Sequence, residues 1–368
     1  MNNPVQRIRQ FVTQNTLRVG IIGFLIGACT IVLILGGISM IFSVKNFRDG
    51  AIEYTSYEFD RITNDFLQVV NFNPREAIRL LEPAAVYNPD IFNRAEGYFM
   101  LAAAYTALGD TDNADKLYDE IINFMQDGIS TADSQDFLAS AYYQAFLAAN
   151  YAGKDELAQQ LYDEMLEVVP PLLNNLSNLR QNTEAYWFLF CAAYDQGEYT
   201  EMDIYYSEMK ELITPQLYSL TDVQTIIDIY SMLTKAASTM NDTYQQITYY
   251  EKEISQLSSI VENLTYTPDI IRAHKAVATI EMKLGRPEIA APHYKIVATY
   301  EPTSTNVYLL AMTYYNAGDL ECAYKWFSEL QRMDDSTSNY YQDIASQLIK
   351  SFEEMNLYCI PDKCCPFE

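Results

Sequence analysis

Glycine punctuates this chain at a fixed interval. Gly109, Gly153 and Gly197 are spaced by 44 residues, Gly285 follows after twice that distance, and Gly318 closes the series 33 residues later. Midway through the double step stands Asn241, and Asn is the next-best residue after Gly for the left-handed conformation that ends a helix. Around each of these positions apolar residues recur at helical spacing, break at the turn residue, and resume as a second amphipathic stretch, as in AAAYTALGDTDNADKLYDEI (102–121) and AMTYYNAGDLECAYKWFSEL (311–330). One such hairpin cannot bury its own apolar stripes, so the pattern demands a row of hairpins stacked on one another.

The second helix of every hairpin repeats a signature. Five residues after the turn come Ala114, Ala158, Met202, Gln246, Ala290 and Ala323; nine residues after it come Tyr118, Tyr162, Tyr206, Tyr250, Tyr294 and Phe327. A small residue lets two helices cross closely, and a ring fills the gap to the next hairpin. This resembles the tetratricopeptide repeat family, whose helix–turn–helix units carry a small–aromatic signature and often a closing proline, here Pro170 and Pro302. A weaker unit precedes the others at residues 73–89, with Ala77, Leu81 and Pro89 in matching places, so the resemblance covers roughly residues 55–335, or seven units. The family's usual period is about 34 residues. A period of 44 predicts longer helices, of about 18 residues. The fourth unit, with Asn241 and Gln246, departs furthest and reads as a softer joint. Residues 336–357 read as a capping helix whose apolar stripe is Tyr340, Tyr341, Ile344, Leu348, Ile349 and Phe352.

Ahead of the repeats, residues 19–44 run 26 positions without a charge. About 20 apolar helical residues cross a bilayer, and a signal-peptide core is only about 7–15 long, so a transmembrane signal-anchor is expected after a short tail at 1–18. Arg7, Arg9 and Arg18 precede the span, whereas Lys45 and Arg48, offset by Asp49, follow it; the bias predicts a cytoplasmic N-terminus and a repeat domain outside the cytoplasm. Gly23 and Gly27 form a G-x-x-x-G pair that would allow dimerisation in the membrane. Ile26-Gly27-Ala28-Cys29 loosely resembles a lipoprotein cleavage box, but the apolar run continues beyond it. The expected organisation is all-α: the anchor, an α-solenoid with its cap over residues 45–357, and a tail at 358–368.

Beyond residue 44 the chain holds 21 Lys/Arg against 49 Asp/Glu. Such a surface repels phosphates, which argues against nucleic-acid binding. The two histidines, His274 and His293, stand in no catalytic or metal-binding motif, adjacent carboxylates diverge by about 100° on a helix, and neither an enzyme nor a cofactor is expected. Cys191 and Cys322 read as small packing residues. In the tail, Cys359 could pair with Cys364 or Cys365 in an oxidising compartment, or all three could be inert.

In tetratricopeptide proteins the first helices of the hairpins line a groove that commonly holds peptides. The resemblance puts Phe99, Tyr143, Leu147, Trp187, Tyr194, Tyr308 and Tyr315 on that face, with Arg272, Lys275 and Thr279 in the fifth unit. Exposed there, the rings would anchor a partner; packed between hairpins, they would only stabilise the array. The basic pair would receive a partner's carboxylate or balance local acids. The expected function is that of a membrane-anchored scaffold or adaptor for protein–protein interaction, with a ligand- or peptide-sensing module and an envelope spacer as the alternatives.

Overall fold

The structure, a computed structural model, describes residues 56–354 apart from 72, 132–134, 174–175, 177 and 334–337. The anchor expected at 19–44, with its Gly23/Gly27 pair, and the tail with Cys359, Cys364 and Cys365 lie outside the described residues. Among the described residues every regular element is helical, and no helix is long and apolar enough to cross a membrane.

The contacts divide the chain into two compact units, up to Leu176 and from Ser177. The first unit holds α1 (Ser56–Val69), α2 (Pro74–Val86), α3 (Ile91–Ala107), α4 (Thr111–Thr131), α5 (Leu138–Tyr151) and α6 (Asp155–Val168). The second holds α7 (Leu179–Gln196), α8 (Tyr199–Ile213), α9 (Val223–Thr239), α10 (Thr243–Val261), α11 (Thr267–Lys283), α12 (Pro287–Tyr300), α13 (Ser304–Asn316), α14 (Leu320–Leu330) and α15 (Ser338–Glu354). Within each unit, consecutive helices pack as hairpins. The odd-numbered first helices also touch one another, α1 with α3, α3 with α5, α7 with α9, α9 with α11 and α13 with α15. Within each unit these contacting first helices form one wall, and each second helix packs against its first helix.

The turn residues behave as their spacing requires. Gly109, Gly153, Gly197, Gly285 and Gly318 all have φ between 65° and 79°, and Asn241, at 56°, is the one non-glycine with positive φ among the described residues. At each turn the following N–H reaches back five residues to a carbonyl: Asp110 to Tyr105 at 2.9 Å, Asp242 to Ala237 at 2.8 Å, Arg286 to Glu281 at 2.8 Å. That bond satisfies a carbonyl the helix end would otherwise orphan. In three of the six units the next helix then starts on a side-chain cap, Asp110 accepting from the Asn113 N–H at 3.3 Å, Asp242 from Gln245 at 3.1 Å and Asp319 from Cys322 at 3.0 Å.

Helix lengths correct the expectation of uniformly long helices. Several first helices reach 17 or 18 residues, but α6 and α8 stop after 14 and 15. The rest of the period goes into short 3-10 turns at Pro170–Leu172 and Leu217–Ser219. Pro170, Pro171 and Pro215 supply no N–H and cannot extend a helix.

The small–aromatic signature packs as predicted in five of six units: Ala114, Ala158, Met202, Ala290 and Ala323 are buried, with Tyr118, Tyr162, Tyr206, Tyr294 and Phe327. Tyr118 lies 6.1 Å from Phe99 of its own hairpin and stacks at 5.6 Å on Tyr151 of the next, so the ring does bridge neighbours. The fourth unit departs. There Tyr249 is fully buried, while Tyr250 and Gln246 are only partly so. The longer Gln at the small position is accompanied by a turn of the buried stripe by one residue. The last hairpin is closed by α15, whose Tyr341, Ala345, Ile349 and Phe352 are buried.

Candidate functional site

The structure sorts the wall residues predicted from the sequence into three groups. Phe99, Tyr143, Leu147 and Trp187 are buried and serve as core, with Trp187 stacked on Phe190 at 5.5 Å. This corrects their placement in an open groove: neighbouring first helices approach one another along this line, and the rings fill the seam. Tyr308 and Tyr315 pack against the cap helix, at 4.6 Å from Tyr341 and 6.0 Å from Phe352 respectively. Tyr194 is 44 % exposed, and Arg272, Lys275 and Thr279 are partly exposed on α11. The accessible part of the predicted face is therefore polar and lies in the second unit.

The first helices α7 and α9 carry a charged cluster that spacing alone did not single out. Arg180, in the first turn of α7, reaches Glu184 one turn on at 2.8 Å and Asp228 of α9 at 2.6 Å. Gln224 donates to the other oxygen of Asp228 at 2.9 Å. Both acids are nearly inaccessible, Glu184 at 5 % and Asp228 at 1 % exposure. Burial pushes the Glu184 carboxyl up to about 7 against the pull of Arg180. Burial raises Asp228 as well, with Arg180 and Gln224 opposing. Burial also works against the charge of Arg180, but its two carboxylates outweigh that and hold its pKa above the usual value. Two carboxyls thus share one guanidinium in a place with little water.

A further acid extends the cluster. Glu253 of α10 is buried and occupies the position twelve after the turn residue, where the other units place Ile121, Met165, Met209, Val297 and Leu330. Burial pushes it up to about 8, with Lys283 pulling it down and Asp228 pushing it up. Its neighbour Gln256 clamps the connection between α8 and α9, donating to Leu217 O at 2.7 Å and Leu220 O at 2.9 Å and accepting from the Tyr230 hydroxyl at 3.2 Å. The fourth hairpin, expected to be a soft joint, holds an ionisable group, Glu253, in one of its apolar slots.

The two histidines, separated by 19 positions, meet between α11 and α12, Nδ1 to Nδ1 at 2.8 Å. One ring must donate and the other accept. Partial burial lowers both pKa values, which keeps both rings neutral at pH 7. Among the described residues no group of three or more His, Cys, Asp or Glu is placed to hold a metal ion. Cys322, read from the sequence as a packing residue, is disulfide-bonded.

The cluster follows a column of the repeat. The position thirteen before each turn residue is polar in all six units: Glu96, Ser140, Glu184, Asp228, Arg272 and Thr305. All but Arg272 are buried. The charge is also divided between the walls. On the first helices α3, α5, α7, α9, α11 and α13, six Lys/Arg face six Asp/Glu; on their partners α4, α6, α8, α10, α12 and α14, five basic residues face nineteen acidic ones.

No model of a known protein family matches the chain, and no curated protein is detectably similar to it.

Proposed function

We propose that this chain is a membrane-tethered, tetratricopeptide-like scaffold that holds a protein partner on the first-helix wall of its second unit, outside the cytoplasm. The division of charge between the walls carries this reading. In the second unit, α8, α10, α12 and α14 carry nine acidic residues against four basic ones and repel acidic proteins and anionic headgroups, whereas α7, α9, α11 and α13, with five of each and partly exposed cations, allow close approach. Arg272, which holds Asp269 at 3.3 Å, and Lys275 are partly exposed cations of that wall, and Tyr194 gives it an exposed ring. Tethering by residues 19–44 would raise the effective concentration of any partner near the membrane.

Reversing the pair, Arg272→Glu with Lys275→Glu, should reduce the partner recovered with the full-length chain from its own membranes by at least about tenfold, the scale of one disrupted buried contact group. Reversing Asp203 and Glu208 on α8 to Lys should leave that recovery unchanged. Equal loss from both double variants would contradict the reading, provided circular dichroism shows each folded.

A ligand-sensing role is favoured by one observation only, the buried ionisable groups Glu184 of the third hairpin and Asp228 and Glu253 of the fourth. A ligand that altered their protonation would act on the packing of α7, α9 and α10.

A further inference from the structure

We propose that His274 and His293 form a binding site for a transition-metal ion that favours imidazole, copper(II) foremost. They are the two histidines of the sequence, and the hairpin of α11 and α12 sets them face to face, Nδ1 to Nδ1 at 2.8 Å. Both residues are partly exposed, so an ion can reach them from solvent.

The repeat shows how unusual this pair is. His274 stands eleven positions before its turn residue, where the other five hairpins place Tyr98, Tyr142, Tyr186, Tyr230 and Val307, all buried. His293 stands eight positions after it, where the others place Leu117, Leu161, Tyr205, Tyr249 and Trp326. Aromatic and aliphatic side chains meet the packing needs of these two columns. One hairpin puts an imidazole in both, giving up apolar contact for a single hydrogen bond. Stability alone does not account for that exchange, whereas a shared ligand does.

The distance selects the ion. Metal–imidazole bonds are about 2.0–2.1 Å long, so two nitrogens 2.8 Å apart subtend about 85–90° at an ion held by both. A right angle belongs to the square-planar and tetragonal sites of copper(II) and nickel(II). Tetrahedral zinc needs its nitrogens about 3.3 Å apart. The general order of affinities for such ligands also puts copper(II) first. The rings lie with centroids 5.0 Å apart and planes tilted by 45°, one Nδ1–H donating to the other Nδ1. To bind, each ring pivots about its Cβ–Cγ bond until both Nδ1 lone pairs converge on the ion. The donor ring's Nδ1 proton passes through water to its own Nε2, so two dative bonds form with no net release of a proton. Among the described residues no third His, Cys, Asp or Glu joins the pair. Water fills the remaining positions, which makes the site open to chelators. The proposal stands apart from the choice of protein partner.

The test is a copper(II) titration of the purified full-length chain, its free thiols alkylated beforehand so that they do not compete, read by electron paramagnetic resonance. The reference is the double variant His274→Tyr, His293→Leu, which copies the residues of the first two hairpins and so suits the fold. The expected result is one copper site per chain with two nitrogen donors in its spectrum. Its affinity should fall at least about tenfold in the variant, since even changes outside the ligand shell cost about 10–100-fold. Copper(II) should also raise the melting temperature of the unaltered chain and not that of the variant. Equal affinity in both proteins, or a spectrum without two nitrogen donors, would overturn the proposal. The spectrum of the unaltered chain decides by itself should the variant not fold.

Discussion

Arg180→Met should destabilise the second unit by about 3–5 kcal/mol at pH 8, because it strands two buried carboxylates that share one cation. Glu184 and Asp228 both lie within contact of the guanidinium. Methionine keeps much of the side chain's length, so the loss is chiefly one of charge. The dependence on pH follows from the direction of the shifts. Both carboxyls already titrate above their usual range in the native protein, and losing Arg180 removes the main force holding them down. An acid with a raised folded pKa is fully tolerated below its unfolded pKa, near 4, and its stabilising contribution is lost as pH rises through the folded value. The penalty should therefore be largest above pH 7 and shrink toward pH 5. Urea unfolding at both values measures it, and the triple variant Arg180→Met, Glu184→Gln, Asp228→Asn should recover most of the stability at pH 8. Equal losses at both pH values would show that Arg180 acts through packing alone.

Gly97→Val should cost the first unit about 3 kcal/mol, at the upper end of overpacking penalties. Gly97 lies on α3 against α2, where an added Cβ would fall 2.5 Å from the Ala85 Cβ and 3.1 Å from the Ala85 Cα. The second distance is to backbone, so no rotamer change relieves it and the two helices must separate. Ala85 is itself fully buried, and Phe59 stands 3.6 Å from the same point. Valine's better helix propensity than glycine's recovers only a few tenths of a kcal/mol. Thermal unfolding followed through the first unit checks this, and an unchanged melting temperature would mean that α2 and α3 can part freely.

The repeat was legible because turns are a local property. A helix end needs a left-handed residue, so Gly, or Asn at 241, marks it whatever the surroundings. The small–aromatic signature was legible for the same reason, until Gln246 entered the fourth unit and Tyr249 took the place assigned to Tyr250. Which side chains the first-helix wall buries was not legible. Which side of a first helix is open depends on where the neighbouring first helix rests, a contact between residues more than forty positions apart. Phe99 and Trp187 therefore read equally well as anchors and as core, and the structure makes them core. The cluster of Arg180, Glu184 and Asp228 was visible only as a polar column in a repeat alignment. Its ion pairs depend on the approach of α7 and α9. Cys322 was misread because burial suits a packing residue and a disulfide equally well.

The central claim is that the first-helix wall of the second unit, and not its acidic opposite, meets a protein. A photo-activatable benzophenone residue placed singly at Lys275, Tyr194 or Ile204 in the full-length chain tests it most directly. The first two lie on first helices and are partly or well exposed, while Ile204, 48 % exposed, lies on α8. Irradiation in native membranes should give the same discrete adduct from positions 275 and 194 and none from 204. An adduct from 204 with none from 275 and 194 would place the contact on the acidic wall and contradict the account.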